Sequence, residues 1–282
     1  MTTTTETAPA AGATTAAPRI EARAISTGYG KSLISEGLSV AIPAGEITAL
    51  VGPNACGKST LLKSIARLQP IAAGSVLLEG ADIHSQPTRQ VARRLGILPQ
   101  SPIAPESITV GDLVWRGRHP HRQFGQRRTE ADEKVIVDAL MATGTAELVD
   151  RPVDQLSGGQ RQRVWIALAL AQDTPTLLLD EPTTYLDIAH QIEVMDLLAD
   201  LNERSGKTIV LVSHDLNQAA LYASSIIAMR DGEIVRQGAP DDVLTEQTVA
   251  DVFGLECIVV PHPRTARPQI FPLGRRNHTL EK

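Results

Sequence analysis

The eight residues Gly52-Pro-Asn-Ala-Cys-Gly57-Lys58-Ser59 constrain this chain more than any other stretch of it. An apolar run beginning at Glu46 (EITALV) leads into them and reads as a buried strand. The residues from Ser59 to Leu68 follow, with apolar positions at helical spacing. The pattern GxxxxGK[ST] between a strand and a helix is that of a loop that cradles phosphate. Glycines let the backbone curl until its N–H groups face the anion, and the helix start adds its positive end. Gly52, Pro53, Asn54, Ala55, Cys56, Gly57 and Thr60 are therefore expected around a nucleotide. Lys58 is expected at the β- and γ-phosphates and Ser59 on Mg²⁺.

A second feature agrees in chemistry. Leu177-Leu178-Leu179-Asp180-Glu181 is an apolar strand that ends in two acids, before the turn at Pro182. Adjacent carboxylates at the end of a buried strand call for a cation or a proton to receive. Beside a phosphate loop, Asp180 is placed to hold Mg²⁺ and Glu181 to polarise an attacking water.

The rest of the chain gives these motifs a setting. Further short strands are expected at Ser75–Glu79, Gly96–Gln100 and Lys207–Val212. Helices are expected over Arg161–Ala171 and along Ile188, Ile192, Met195 and Ala199, which share one face. Strands alternating with helices predict an α/β fold with a mostly parallel sheet. Between Ser101 and Gln155 the apolar runs give way to charged, helix-like segments such as Glu130–Leu140, which predicts an inserted helical subdomain. A net charge of −5 argues against nucleic acid as the main partner. Cys56 and Cys257 are too few for a disulfide framework and have no metal-ligand spacing.

Leu156-Ser157-Gly158-Gly159-Gln160 makes the match specific. LSGGQ, following a phosphate loop and preceding an Asp-Glu pair, resembles the signature of ATP-binding cassette (ABC) proteins over residues 21 to about 250. The resemblance implies a P-loop NTPase (RecA-like) core, residues 21–100 and 173–257, with an N-terminal antiparallel β portion and a helical subdomain at about 101–172. Tyr29 matches the aromatic ring that stacks on adenine, although it would also suit an ordinary GYG turn. Gln100 matches the glutamine that touches Mg²⁺, Asp187 the aspartate facing the opposing subunit, and His214 the histidine at the γ-phosphate. The implied assembly is a head-to-tail pair of copies. ATP on one copy's loop is capped by Ser157, Gly158, Gly159 and Gln160 of the other, and hydrolysis reopens the pair. The sequence departs from the family's commoner loop at Ala55 and Cys56, where Gly-Cys or Gly-Ser is more usual. Alanine fits there if φ is negative. The Cys56 thiol reads as a small tolerated side chain rather than a redox switch.

Three segments narrow the resemblance. Glu181–Leu198 (EPTTYLDIAHQIEVMDLL), His214–Ala223 (HDLNQAALYA) and the closing CIVVPHPRTARPQIFPLGR are similar to the ATPases of ferric-siderophore importers, close to the haem and vitamin B12 systems. RGRHPHR (Arg116–Arg122) is similar to the same group, and His119 and His121 there read as surface or partner contacts rather than iron ligands. The expectation is an importer ATPase, peripheral to the cytoplasmic face of the membrane. Its partners would be two transmembrane permease subunits and, indirectly, a substrate-binding lipoprotein. The competing reading, a soluble cassette acting on nucleic acid or ribosomes, would call for a long coiled-coil insertion or tandem cassettes, and the chain has neither pattern. Residues 1–20, rich in Thr and Ala, and residues 261–282, with Arg264, Arg267, Arg275, Arg276 and Lys282 against Glu281, are expected to be solvated tails.

Overall fold

A computed structural model describes residues 18–30, 32–122 and 127–274. The chain opens with two long antiparallel strands, β1 (Pro18–Tyr29) and β2 (Ser32–Pro43), then enters β3 (Ile47–Val51), whose five residues are all buried. The phosphate loop follows, then α1 (Lys58–Ile65), β4 (Ile71–Leu78), the short β5 (Ala81–Asp82), α2 (Thr88–Ala92) and β6 (Leu95–Leu98). Helices α3 (Val110–Trp115), α4 (Glu130–Ala142) and α5 (Gly158–Ala171) come next, with a 3₁₀ turn at Arg116–His121 after α3. The chain then returns through β7 (Thr176–Asp180), α6 (Ile188–Ser205), β8 (Thr208–Val212), α7 (Leu216–Tyr222) and β9 (Ser225–Arg230). It closes with β10 (Glu233–Gly238), α8 (Pro240–Val243), α9 (Glu246–Phe253), β11 (Cys257–Pro261) and β12 (Pro268–Pro272).

The strands form a six-stranded sheet in the order β10-β9-β3-β8-β7-β6, in which only β10 runs antiparallel to its neighbour. A second sheet, β2-β1-β4-β5, is antiparallel throughout. Strands β3, β7 and β8 are buried on both faces, as their unbroken apolar runs require. One apolar core, with Leu50, Leu61, Ile65, Leu178 and Val210, lies between the parallel sheet and the antiparallel one. The other, with Ala49, Leu179 and Leu211, joins the opposite face to α3, α4, α5 and α6. Because β3 and β7 lie either side of β8, the loop after β3 and the acids ending β7 emerge at the same edge of the sheet.

The expected strands are present with shifted ends: Ser75–Glu79 starts at Ile71, and Gly96–Gln100 runs Leu95–Leu98, stopping short of Pro99. Two expectations need correction. Residues 261–274 are not a tail, because β12 pairs with β11, buries Ile270 and packs against α7. The N-terminal expectation is also too long, since Pro18–Ile20 already belong to β1; residues 1–17 lie outside the described residues, as do Arg275, Arg276, Glu281 and Lys282. Helix α6 forms as expected, but its apolar face is not uniformly covered. Val194, Met195 and Leu198 are buried, whereas Ile188 stays 75% and Ile192 45% exposed.

Candidate nucleotide site

The loop from Gly52 to Gly57 takes a path that only small residues permit at two points. A Cβ at Gly52 would lie 2.2 Å from the Met229 carbonyl oxygen. Gly57 caps α1 with φ +106°, a conformation that strains any L side chain. Ala55 departs from expectation: its φ is +62°, not negative, so an alanine occupies the left-handed position to which glycine is suited. A turn closed by the Cys56 N–H on the Pro53 carbonyl at 3.4 Å imposes this, because Ala55 is its third residue, the one that takes positive φ when the second does not. Cys56 is buried, its sulfur 3.9 Å from Lys58 Nζ.

Lys58 is itself only 5% exposed, and its ammonium donates to the carbonyls of Gly52 at 2.8 Å and Pro53 at 2.7 Å. Three donors on a short reach let it exchange these carbonyls for phosphate oxygens. Ser59 Oγ donates to Asp180 Oδ1 at 2.7 Å, across 121 residues of sequence. The other Asp180 oxygen is buried and has no hydrogen-bond partner among the described residues. Burial pushes the Asp180 carboxyl above its ordinary range, opposed by the Ser59 hydroxyl and by the charges of Lys63 and Lys58. A buried carboxylate oxygen without a partner, beside a serine hydroxyl, is a hard-oxygen donor set that suits Mg²⁺.

Glu181 lies next, in backbone strain of its own with φ +56°. Its Oε1 is 2.5 Å from His214 Nε2, and Thr184 Oγ1 donates to Oε2 at 3.1 Å. Burial would raise this carboxyl, but hydrogen bonds from His214, Gln100 and Thr184 outweigh it and hold Glu181 below the usual carboxylate range. It is therefore ionised and able to orient water or accept a proton near neutral pH. Asn54, Ala55, Gly57, Lys58, Ser59, Thr60, Gln100, Glu181 and His214 together line one cavity of about 450 Å³. Gly52, Pro53 and Cys56 form the loop behind it.

The remaining expected residues lie elsewhere on the same chain. Ser157, Gly158, Gly159 and Gln160 do not line that cavity. They start α5 in a capping box: Ser157 Oγ accepts from Gln160 N–H and Gln160 Oε1 from Ser157 N–H, both at 3.2 Å. The two glycines keep this helix start open, and Ser157 and Gly158 are exposed. Asp187 caps α6 and accepts from the N–H and ring of His190, again exposed. Tyr29, at the end of β1, is 53% exposed and free to offer a ring face. One chain thus keeps the two groups of expected residues apart. Sequence reasoning missed Ile34, which lines the cavity from β2, and Thr184, which holds Glu181. Ile34 carries no local signal, whereas a threonine three residues after the acid could have been noticed.

The ABC transporter family profile matches residues 35–184. The chain is 52% identical, over 91% of its length and 95% of the relative's, to the achromobactin transport ATP-binding protein of Dickeya dadantii (strain 3937). It is 48% identical to the ferric enterobactin transport ATP-binding protein of Escherichia coli (strain K12), over 91% of this chain and 95% of that one. Among solved structures it resembles an inward-facing transporter described as of metal-chelate type, with TM-score 0.78 and 27% identity, covering 92% of this chain and 99% of that one. A dimeric bacterial ABC transporter cassette superposes with TM-score 0.70 and 30% identity, covering 78% and 98%.

Proposed function

The chain belongs to the ABC transporter family of ATP-hydrolysing subunits, and from that premise we propose that it energises a bacterial importer of a ferric siderophore or related iron chelate. One observation carries the cargo assignment: relatives named for siderophore transport align at about half identity along nine-tenths of the chain. The ATPase chemistry rests on the cavity that brings Lys58 and Ser59 of the phosphate loop together with an ionised Glu181, Ser59 being bonded in turn to Asp180.

In this reading Tyr29 stacks on adenine and the loop N–H groups hold the phosphates. Lys58 moves from the Gly52 and Pro53 carbonyls to the β- and γ-phosphate oxygens. Ser59, Gln100 and Asp180 would hold Mg²⁺, which would neutralise phosphate charge there. Glu181 orients the attacking water and takes its proton, while His214 holds Glu181 in place and meets the γ-phosphate. The exposed start of α5 in a second copy brings Ser157, Gly158, Gly159 and Gln160 to the phosphate, with Asp187 at the contact between copies. ATP then bridges two molecules, and hydrolysis removes the bridge. Among the described residues no helix is long and apolar enough to cross a membrane. In this reading the cargo path belongs to two permease subunits, fed by a binding lipoprotein, with this subunit at the cytoplasmic face.

Two measurements test the proposal. Lys58→Ala should lose ATP hydrolysis by at least about a hundredfold, the scale of removing a charge-stabilising group. A strain lacking the gene should fail to grow on its ferric siderophore under iron limitation, rescued by the wild-type gene and not by that variant. Unimpaired uptake of every ferric chelate tried would remove the cargo assignment, and full activity in Lys58→Ala would remove the ATPase one.

A further inference from the structure

The three segments that narrow the resemblance, Glu181–Leu198, His214–Ala223 and the closing strands from Cys257, meet at one place in the fold. All three line a second cavity of about 530 Å³ that shares Glu181 and His214 with the nucleotide site and is completed by Phe253 and Leu255, with Ile270 and Pro272 from the closing strands. Two side-chain amides span its wall. Gln191, in the first turn of α6, donates Nε2 to the Leu186 carbonyl at 3.1 Å and to that of Thr183 at 3.5 Å, holding the turn that carries Asp187. Its Oε1 accepts from Gln218 Nε2 of α7 at 2.8 Å. The start of α7 is fixed on its other side as well. Asp215 Oδ1 accepts from the N–H groups of Asn217 and Gln218, and the Asn217 amide pairs with both the N–H (2.7 Å) and the carbonyl (3.2 Å) of Ile270 in β12. His214 directly precedes this anchored helix start.

We propose that Gln191 and Gln218 are a positioning pair, linking the exposed Asp187 turn to α7 and thereby setting where His214 stands against Glu181. The argument rests on the two-copy ATPase reading above, in which that turn meets the partner. An amide has one donor end and one acceptor end, and Gln191 uses both: the donor on the turn, the acceptor on α7. A displacement of the turn by the second copy is therefore passed to α7 through a chain of directional bonds, and from there to the 2.5 Å contact between His214 and Glu181. The closing hairpin supplies the fixed side of the joint, since Asn217 ties α7 to β12.

The pair makes a sharp chemical prediction. Gln218→Glu presents only acceptors. Gln191 can satisfy it only by flipping, which turns its own oxygen against the Leu186 carbonyl, so one end of the link is lost in either orientation. Gln218→Lys keeps a donor facing Gln191. Steady-state ATPase, its dependence on ATP concentration and thermal melting should be measured on the full-length wild type and both variants. Gln218→Glu should lose about tenfold in kcat with KM for ATP within about twofold, and its Hill coefficient should fall toward one, the pattern of lost transition-state positioning and lost coupling. Gln218→Lys should recover most of the rate and the cooperativity at the same melting temperature. Wild-type rates in both variants would overturn the proposal, as would equal losses in both that follow a fall in melting temperature. Glu181→Gln measured alongside separates the premise, because full activity there would sink the ATPase reading itself.

Discussion

Ala55 holds φ +62° in the loop that wraps the phosphates, a position where a Cβ costs roughly 1 kcal/mol. The loop tolerates this because Gly52 and Gly57 take the more extreme conformations on either side. Ala55→Gly should raise stability by up to about 1 kcal/mol, less the flexibility glycine adds to the unfolded chain, whereas the β-branched Ala55→Val should lower it by about 2 kcal/mol. Chemical denaturation of the two variants checks the pair of signs, and a neutral valine would contradict the left-handed assignment. Glu181 offers a second test. Burial pushes its carboxyl up, and the His214 hydrogen bond is the largest influence holding it down. Because the folded value is depressed, the ionised form persists as pH falls below the ordinary glutamate range, until the folded value is reached. His214→Ala removes that influence, so the acidic limb of the kcat–pH profile should move to higher pH. A limb that stays in place or moves lower would show that His214 does not govern the Glu181 proton.

At the scale of elements, what could be read in advance divides by the kind of signal. Strands β3, β7 and β8 announce themselves as apolar runs because both of their faces are buried, and the phosphate loop and acid pair are contiguous motifs. The N-terminal strands do not. Their alternation breaks at register shifts between Ala22 and Ile25 and again near Thr27, so no clean period of two survives, and only the family resemblance pointed to them. The second strand of the closing hairpin, β12, is hidden in the sequence because the prolines and arginines around it resemble a solvated tail. Of the hairpin's ten strand residues only Cys257, Pro268 and Ile270 are buried, and that depends on α7 lying alongside. Ile270→Ala should therefore cost about 2–4 kcal/mol in urea unfolding, the range for removing a buried isoleucine. A change under about 0.5 kcal/mol, as at an unconstrained surface position, would mean the hairpin is not held against the domain. On α6 the period was legible and the burial was not. Ile188 and Ile192 remain exposed beside Asp187, on the side where the partner copy is proposed to sit.

For the molecule as a whole, the decisive feature is a separation. The phosphate loop and Glu181 share one cavity, while the start of α5, equally suited to an anion, stands outside it with Ser157 and Gly158 exposed. In the proposed reading a single copy binds the triphosphate without enclosing it, and a twin closes the site. The most direct measurement is the mass in solution of Glu181→Gln by light scattering, with ATP and Mg²⁺ and separately with ADP. Blocking hydrolysis while leaving the loop intact should give twice the 30.2 kDa of one chain with ATP and the single-chain mass with ADP. A single-chain mass with ATP bound would contradict the account.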